Sequence, residues 1–137
     1  METSNQNRLW AEWFLRIALA AGFLSAVADR FGLWGSPGAA GVAWGDWSHF
    51  LDYVAVLNAF APAWLIPVLG WVATIAEIGL AATLLVGWRL RWTSAGAGIL
   101  LLLFALAMTF SSSLKAPLDA SVYTASAGAF LLAMVSE

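Results

Sequence analysis

Residues 64–88 read WLIPVLGWVATIAEIGLAATLLVGW, with Glu77 as their only charge. A bilayer core is crossed by roughly 20 consecutive, mostly apolar residues in helical form. This stretch predicts a membrane span, and three others follow the same logic. One covers about 9–28 and carries Glu12 and Arg16 near its start. One covers about 93–112 without a charge. The last covers about 118–135, with Asp119 at its edge. Glu12 and Arg16 interrupt the place where a signal peptide would be apolar, and no A-x-A-like site follows, so no cleavable leader is expected. The expected fold is all-α: a single-domain, integral membrane four-helix bundle over residues 1–137.

Composition supports this class. Of 137 residues, 62% are hydrophobic and 10% charged, against about 45–50% and 25% in soluble domains. A soluble fold with so few charges would expose large apolar patches and aggregate. The balance excludes a soluble enzyme, a disordered tail and a nucleic-acid binder with a basic face. Six Lys and Arg and a net charge of −2 cannot build a surface that tracks phosphates. Cysteine is absent and histidine occurs once. Disulfides, thiol redox centres, thiolate zinc, iron–sulfur clusters and a bis-histidine haem within one chain are therefore excluded. No covalent cofactor is expected. Any redox carrier would be a bound diffusible molecule or belong to a partner.

Loop charges set the expected orientation. Arg8, Arg89 and Arg91 fall on one side. Arg30 and Lys115 fall on the other, with Asp29, Asp46 and Asp52. Excess Lys and Arg stay cytoplasmic, which places both termini inside a multi-pass protein of the cytoplasmic (inner) membrane. The first connection, about 29–63, is too long for a plain loop. Its Gly-rich part, 32–45, reads as irregular backbone at the membrane surface or folded into the bundle mouth. From Trp47 the apolar residues Phe50, Leu51, Val54, Leu57 and Phe60 recur at helical spacing, predicting an interfacial amphipathic helix over about 47–60. Eight of the nine tryptophans lie at or near expected span ends, as an interfacial belt requires.

Small residues let helices approach closely in lipid. The expected contact stripes are Ala18, Gly22, Ser25 and Asp29; Gly70, Ala73, Thr74, Glu77 and Ala81; Gly98, Leu102, Ala105 and Thr109; and Ser121, Ala125, Gly128 and Leu132. Glu77 lies on its stripe and should point into the bundle. An ionisable group inside a span is costly, about 2.5–3.5 kcal/mol on insertion scales, and marks a functional candidate. Glu77 sits about 16 Å from the cytoplasmic end of its helix. Arg16 enters from the same side, one turn after Glu12, in a favourable ion-pair order. A buried Glu12–Arg16–Glu77 cluster is expected, either as a polar clasp fixing helix register or as a proton-accepting or head-group-binding site.

A second polar group gathers on the external side: Asp29, Arg30, Asp46, His49, Asp52, Lys115 and Asp119. It reads either as a solvated loop or, with Trp44 and Trp47, as the mouth of a pocket. An ion pair of Arg30 with Asp29 would hold the loop. No metal-ligand spacing is present, and neither a Ser-His-Asp arrangement, a phosphate loop nor HExxH occurs.

Three stretches carry a family resemblance. Arg16 is followed by FLSAVADRFGLWG with Arg30. Glu77 opens EIGLAATLLVGWRLR, ending at Arg91. Lys115-Ala-Pro-Leu precedes the last span. These resemble the DoxX family of small four-span membrane proteins. Some members are similar to the membrane subunit of a thiosulfate:quinone oxidoreductase, and others are linked to quinone or thiol stress and to membrane oxidoreductase assemblies. The resemblance implies functional weight at Arg16, Arg30 and Glu77. The absence of Cys removes any dithiol mechanism, and the aromatic first connection departs from the pattern.

The expected function is a membrane subunit or accessory of an oxidoreductase system, holding a quinone or similar lipophilic molecule in the bundle. Glu77 and Arg16 would form the polar end of the pocket. Membrane lipids are expected partners, with a membrane or peripheral oxidoreductase or a second copy of the chain, and no nucleic acid. The alternatives are a non-enzymatic scaffold or assembly factor, and a small proton-coupled transporter using Glu77.

Overall fold

A computed structural model describes residues 1–136. Six helices follow in order: α1 (Glu2–Arg30), α2 (Trp47–Leu57), α3 (Leu65–Val86), α4 (Leu90–Ser111), α5 (Lys115–Asp119) and α6 (Val122–Val135). Among the described residues there is no strand. Helices α1, α3 and α4 are each long and apolar enough to cross a membrane. At 1.5 Å per residue, α3 and α4 are about 33 Å long and α6 about 21 Å.

The helix ends have local causes. Asp46 caps α2, its carboxylate accepting the His49 backbone N–H at 2.8 Å, which satisfies one of the free donors of the first turn. Gly87 ends α3 in the left-handed region at φ 81°, a conformation that costs glycine nothing. Three boundaries differ from expectation. Helix α1 starts at Glu2 rather than near Leu9, because polar residues outside the apolar core still extend a helix. Helix α2 stops at Leu57, where the Asn58 side chain turns back to the Val54 carbonyl. The last segment breaks at Ser121, whose φ is 57°, leaving α5 and α6 in place of one run over 118–135.

Helix α1 packs on α3 and α6, α4 packs on α3 and α6, and α2 lies against α3 and α4. The α4–α6 contact is close because Gly98 has no side chain: a Cβ there would stand 2.9 Å from the Phe130 ring. Ser126 Oγ donates to the Gly98 carbonyl across this contact at 2.8 Å. The core comprises Leu19, Ala20, Phe23, Ala81, Leu84, Ala97, Ala129 and Leu132. These residues all lie towards one end of the bundle, near the end of α3 and the start of α4. At that end Arg8 Nη2 donates to the Val135 carbonyl, so the start of α1 and the end of α6 are neighbours.

The expected stripe on α3 is largely the buried one, with Gly70, Thr74, Glu77 and Ala81 covered. On α1 the covered face is Arg16, Leu19, Ala20, Phe23, Val27, Asp29 and Arg30. Of the expected α1 stripe only Asp29 is buried. Ala18 and Gly22 instead face a cavity. On α6, Ser126, Ala129, Leu132 and Ala133 are buried, so Leu132 alone of the expected set is covered.

Candidate functional site

Beyond the packed end the helices part around a cavity of about 1140 Å³. Its walls come from the second half of α1, the first half of α3, the second half of α4 and the start of α6, with α2 across one side. The lining is mainly apolar, including Leu69, Val72, Leu101, Phe104, Ala107 and Met108. Arg30 and Glu77 also face it. A shallower groove of about 540 Å³ between α3 and α4 has no ionisable residue in its lining.

Arg30 Nη1 lies 2.5 Å from Glu77 Oε2, with the two side chains 3% and 4% exposed. The same nitrogen donates to Thr74 Oγ1 at 2.7 Å, and Thr74 Oγ1 donates to the Gly70 carbonyl at 2.8 Å. Glu77 Oε2 meets Arg30 through this close contact of opposite charges, and Arg30 Nε has no hydrogen-bond partner. The guanidinium carbon lies 4.0 Å from the Phe50 ring centroid and 5.4 Å from that of Trp44. These distances fit cation–π attraction. Placing two opposite charges together is the condition under which a low-dielectric interior tolerates either.

The pairing departs from the expected cluster. Arg16 does not reach Glu77. Its Nε donates to the Leu84 carbonyl at 2.7 Å and its Nη2 to the Leu85 carbonyl at 3.1 Å. It thus satisfies carbonyls left free at the C-terminal end of α3, where a cation also meets the negative end of the helix dipole. Its guanidinium carbon stands 3.8 Å from the Trp13 ring centroid. Glu12 accepts from Arg8 Nε at 2.8 Å and does not join the buried pair. The reason is register. Helices α1 and α3 are antiparallel, and residue 16 faces residues 84–87 while residue 30 faces 74–77. Leu84 is seven residues from Glu77, about 10 Å along the helix.

The external set divides. Asp29 turns away from Arg30 and accepts the backbone N–H groups of Ala43 and Trp44 at 2.8 Å and of Gly45 at 3.0 Å. It ties the Gly-rich loop to the end of α1 and brings Trp44 over Arg30. Close backbone packing in this loop needs glycine: a Cβ on Gly32 would stand 2.8 Å from the Gly45 carbonyl oxygen. Trp47 stacks on Phe31 at 5.4 Å and leans on Trp71 at 4.5 Å between ring centroids. Asp46 and His49 pair with each other on the surface at 2.8 Å. The backbone N–H and then the ring of His49 hold the Asp46 carboxyl below its ordinary value. Lys115 pairs with Asp119 on α5, and neither lines the cavity. Of the expected mouth, Arg30 and Trp44 face the cavity directly.

In the sequence Thr74 reads as a packing residue, yet it lies one turn before Glu77, the signal that could place it beside the buried pair. Tyr53 and Ser111 also line the cavity. Burial raises the Tyr53 phenol above its ordinary value. Among the described residues no group of three or more His, Asp or Glu gathers in a way that could hold a metal.

The sequence matches no family model, and neither the chain nor its structure matches a curated protein or a solved structure.

Proposed function

We propose that this chain is a multi-pass membrane protein that holds a lipophilic small molecule, such as a quinone, in its bundle. In this reading it is a DoxX-like membrane subunit or accessory of an oxidoreductase system. The observation that carries the reading is a buried Arg30–Glu77 pair in the wall of an otherwise largely apolar cavity. Ligand sites are typically apolar clefts of about 300–1,000 Å³ with a few fixed polar groups. The cavity is of that order and large enough for a ring with part of an isoprenoid or alkyl tail.

In the bilayer α1, α3 and α4 would span, and α5 with α6 would complete a fourth crossing. Both termini would lie in the cytoplasm beside Arg8, Arg89 and Arg91. Helix α2 would rest near the external interface over the cavity, with Trp47 and Trp71 in the aromatic belt. The chain's own residues would bind and orient the ligand. Arg30 offers N–H donors, Glu77 fixes the guanidinium, and the apolar walls exclude water. A bound quinone would supply the electron-carrying chemistry.

The test is solvent extraction and mass spectrometry of the full chain purified in mild detergent. Wild-type protein should carry about one lipophilic molecule per chain. Ala26→Trp, which fills the cavity from α1, should carry much less while retaining its helical circular dichroism. Wild-type protein free of any bound lipophile, or equal loading in both proteins, would overturn the reading.

A further inference from the structure

The cavity's polar equipment specifies the head group it takes, an inference that rests on the lipophile-binding reading above. Arg30 Nη1 contacts Thr74 and Glu77, the guanidinium lies against the Phe50 ring, and Nε has no hydrogen-bond partner. Leaving a donor of a buried charged group unpaired is costly. On α4, Ser111 Oγ is another cavity-lining group without a hydrogen-bond partner. The cavity wall therefore contains buried polar groups with unused hydrogen-bonding capacity, Glu77 Oε2 among them.

Its charge is already balanced. Arg30 and Glu77 are the only Asp, Glu, Lys, Arg or His residues among those lining the cavity, and they cancel. A carboxylate or phosphate placed beside them would add an unmatched negative charge in a desolvated space. A neutral acceptor takes an Arg30 N–H without disturbing the pair.

The rim points to where such a ligand comes from. Phe60 and Phe110 line the cavity and are 88% and 86% exposed. Val56, Val72 and Leu103 likewise both line it and face outward. A mouth edged by exposed hydrocarbon suits passage from lipid rather than from water.

We infer that the cavity takes an uncharged lipid whose head bears a hydrogen-bond acceptor, such as an ester, ketone or quinone carbonyl. The head sits at Arg30, and the molecule arrives from the bilayer past Phe60 and Phe110.

Methyl palmitate and palmitate form a matched pair of probes, with the same chain and either a neutral or an anionic head. They are titrated at pH 7.5 into the full-length protein, delipidated in detergent, and occupancy is read by native mass spectrometry. Methyl palmitate should bind at least about tenfold more tightly, because palmitate brings an uncompensated negative charge into a desolvated site. Glu77→Gln removes the charge that cancels Arg30 and should erase or reverse that preference, because palmitate then supplies the missing negative charge. Palmitate binding as tightly as its ester would overturn the neutral-head inference while leaving the cavity reading intact. So would an unchanged preference in Glu77→Gln. Binding of neither probe, in a protein that also purifies without a lipophile, would overturn the cavity reading itself.

Discussion

Asp29 and Arg30 are neighbours on the last turn of α1, yet they serve different parts of the molecule. The carboxylate gathers three backbone N–H groups of residues 43–45. The guanidinium crosses to Glu77 on α3. One helix end thereby fixes both the loop beside the cavity and the charge in its wall, and Trp44 links the two by lying over Arg30.

Asp29→Asn tests the loop half of this arrangement. An amide keeps one acceptor and brings an NH2 group towards backbone donors. The loss is expected to be about 1–3 kcal/mol, as for leaving buried groups unsatisfied. Amide exchange at residues 43–45 should speed up well before that of the Leu84 and Ala97 region. Unchanged exchange at 43–45 would show that the loop is held by other contacts.

Breaking the buried pair should be far more damaging than removing it. Arg30→Met or Glu77→Met alone leaves one uncompensated charge and is expected to cost about 3–5 kcal/mol, whereas the double Met variant should recover much of that loss. A double-mutant cycle from unfolding in detergent gives the coupling directly. Additive single effects would mean that the charges are solvated independently.

The α4–α6 contact has no room to spare. Gly98→Ala should destabilise by about 1–3 kcal/mol through overpacking against Phe130. Adding Phe130→Leu to Gly98→Ala should restore part of the loss. A neutral or stabilising Gly98→Ala would show that the ring moves aside freely.

Asp46 gives a pH dependence with a definite sign. Its carboxyl is lowered by the His49 backbone N–H and ring, so its capping contribution is fully present above the ordinary carboxylate range. That contribution is lost only as pH falls through the lowered value. Trp47 fluorescence should report loosening at the start of α2 in acid. Asp46→Asn, a cap without a charge, should flatten this transition. An acid transition of the same size in Asp46→Asn would assign it to another group.

The sequence carried the inward face of α3 because Gly70, Thr74, Glu77 and Ala81 recur at threes and fours, a pattern that survives any choice of neighbour. It did not carry the partner of Glu77. Which of Arg16 and Arg30 lies level with that residue depends on the offset between two antiparallel helices, and hydropathy is blind to offset. Apolar counting began α1 at Leu9, because Thr3, Asn5 and Gln6 lower the local hydropathy without interrupting the helix. The Asp29 clasp is not legible in the sequence either, since its partners are backbone N–H groups fourteen to sixteen residues away, which any residue type supplies. The α1 stripe misleads for a related reason: Ala18 and Gly22 are small beside an open space rather than against a closely packed helix.

Of the eight buried residues in the packed core, only Leu19 and Phe23 also line the hollow. The half that folds the chain is therefore largely separate from the half that would select a guest. Side chains such as Ala26, Ala107 and Met108 can change size with little penalty to assembly. In the proposed reading, substitutions around the hollow would change the guest while the packed end serves as a fixed vise.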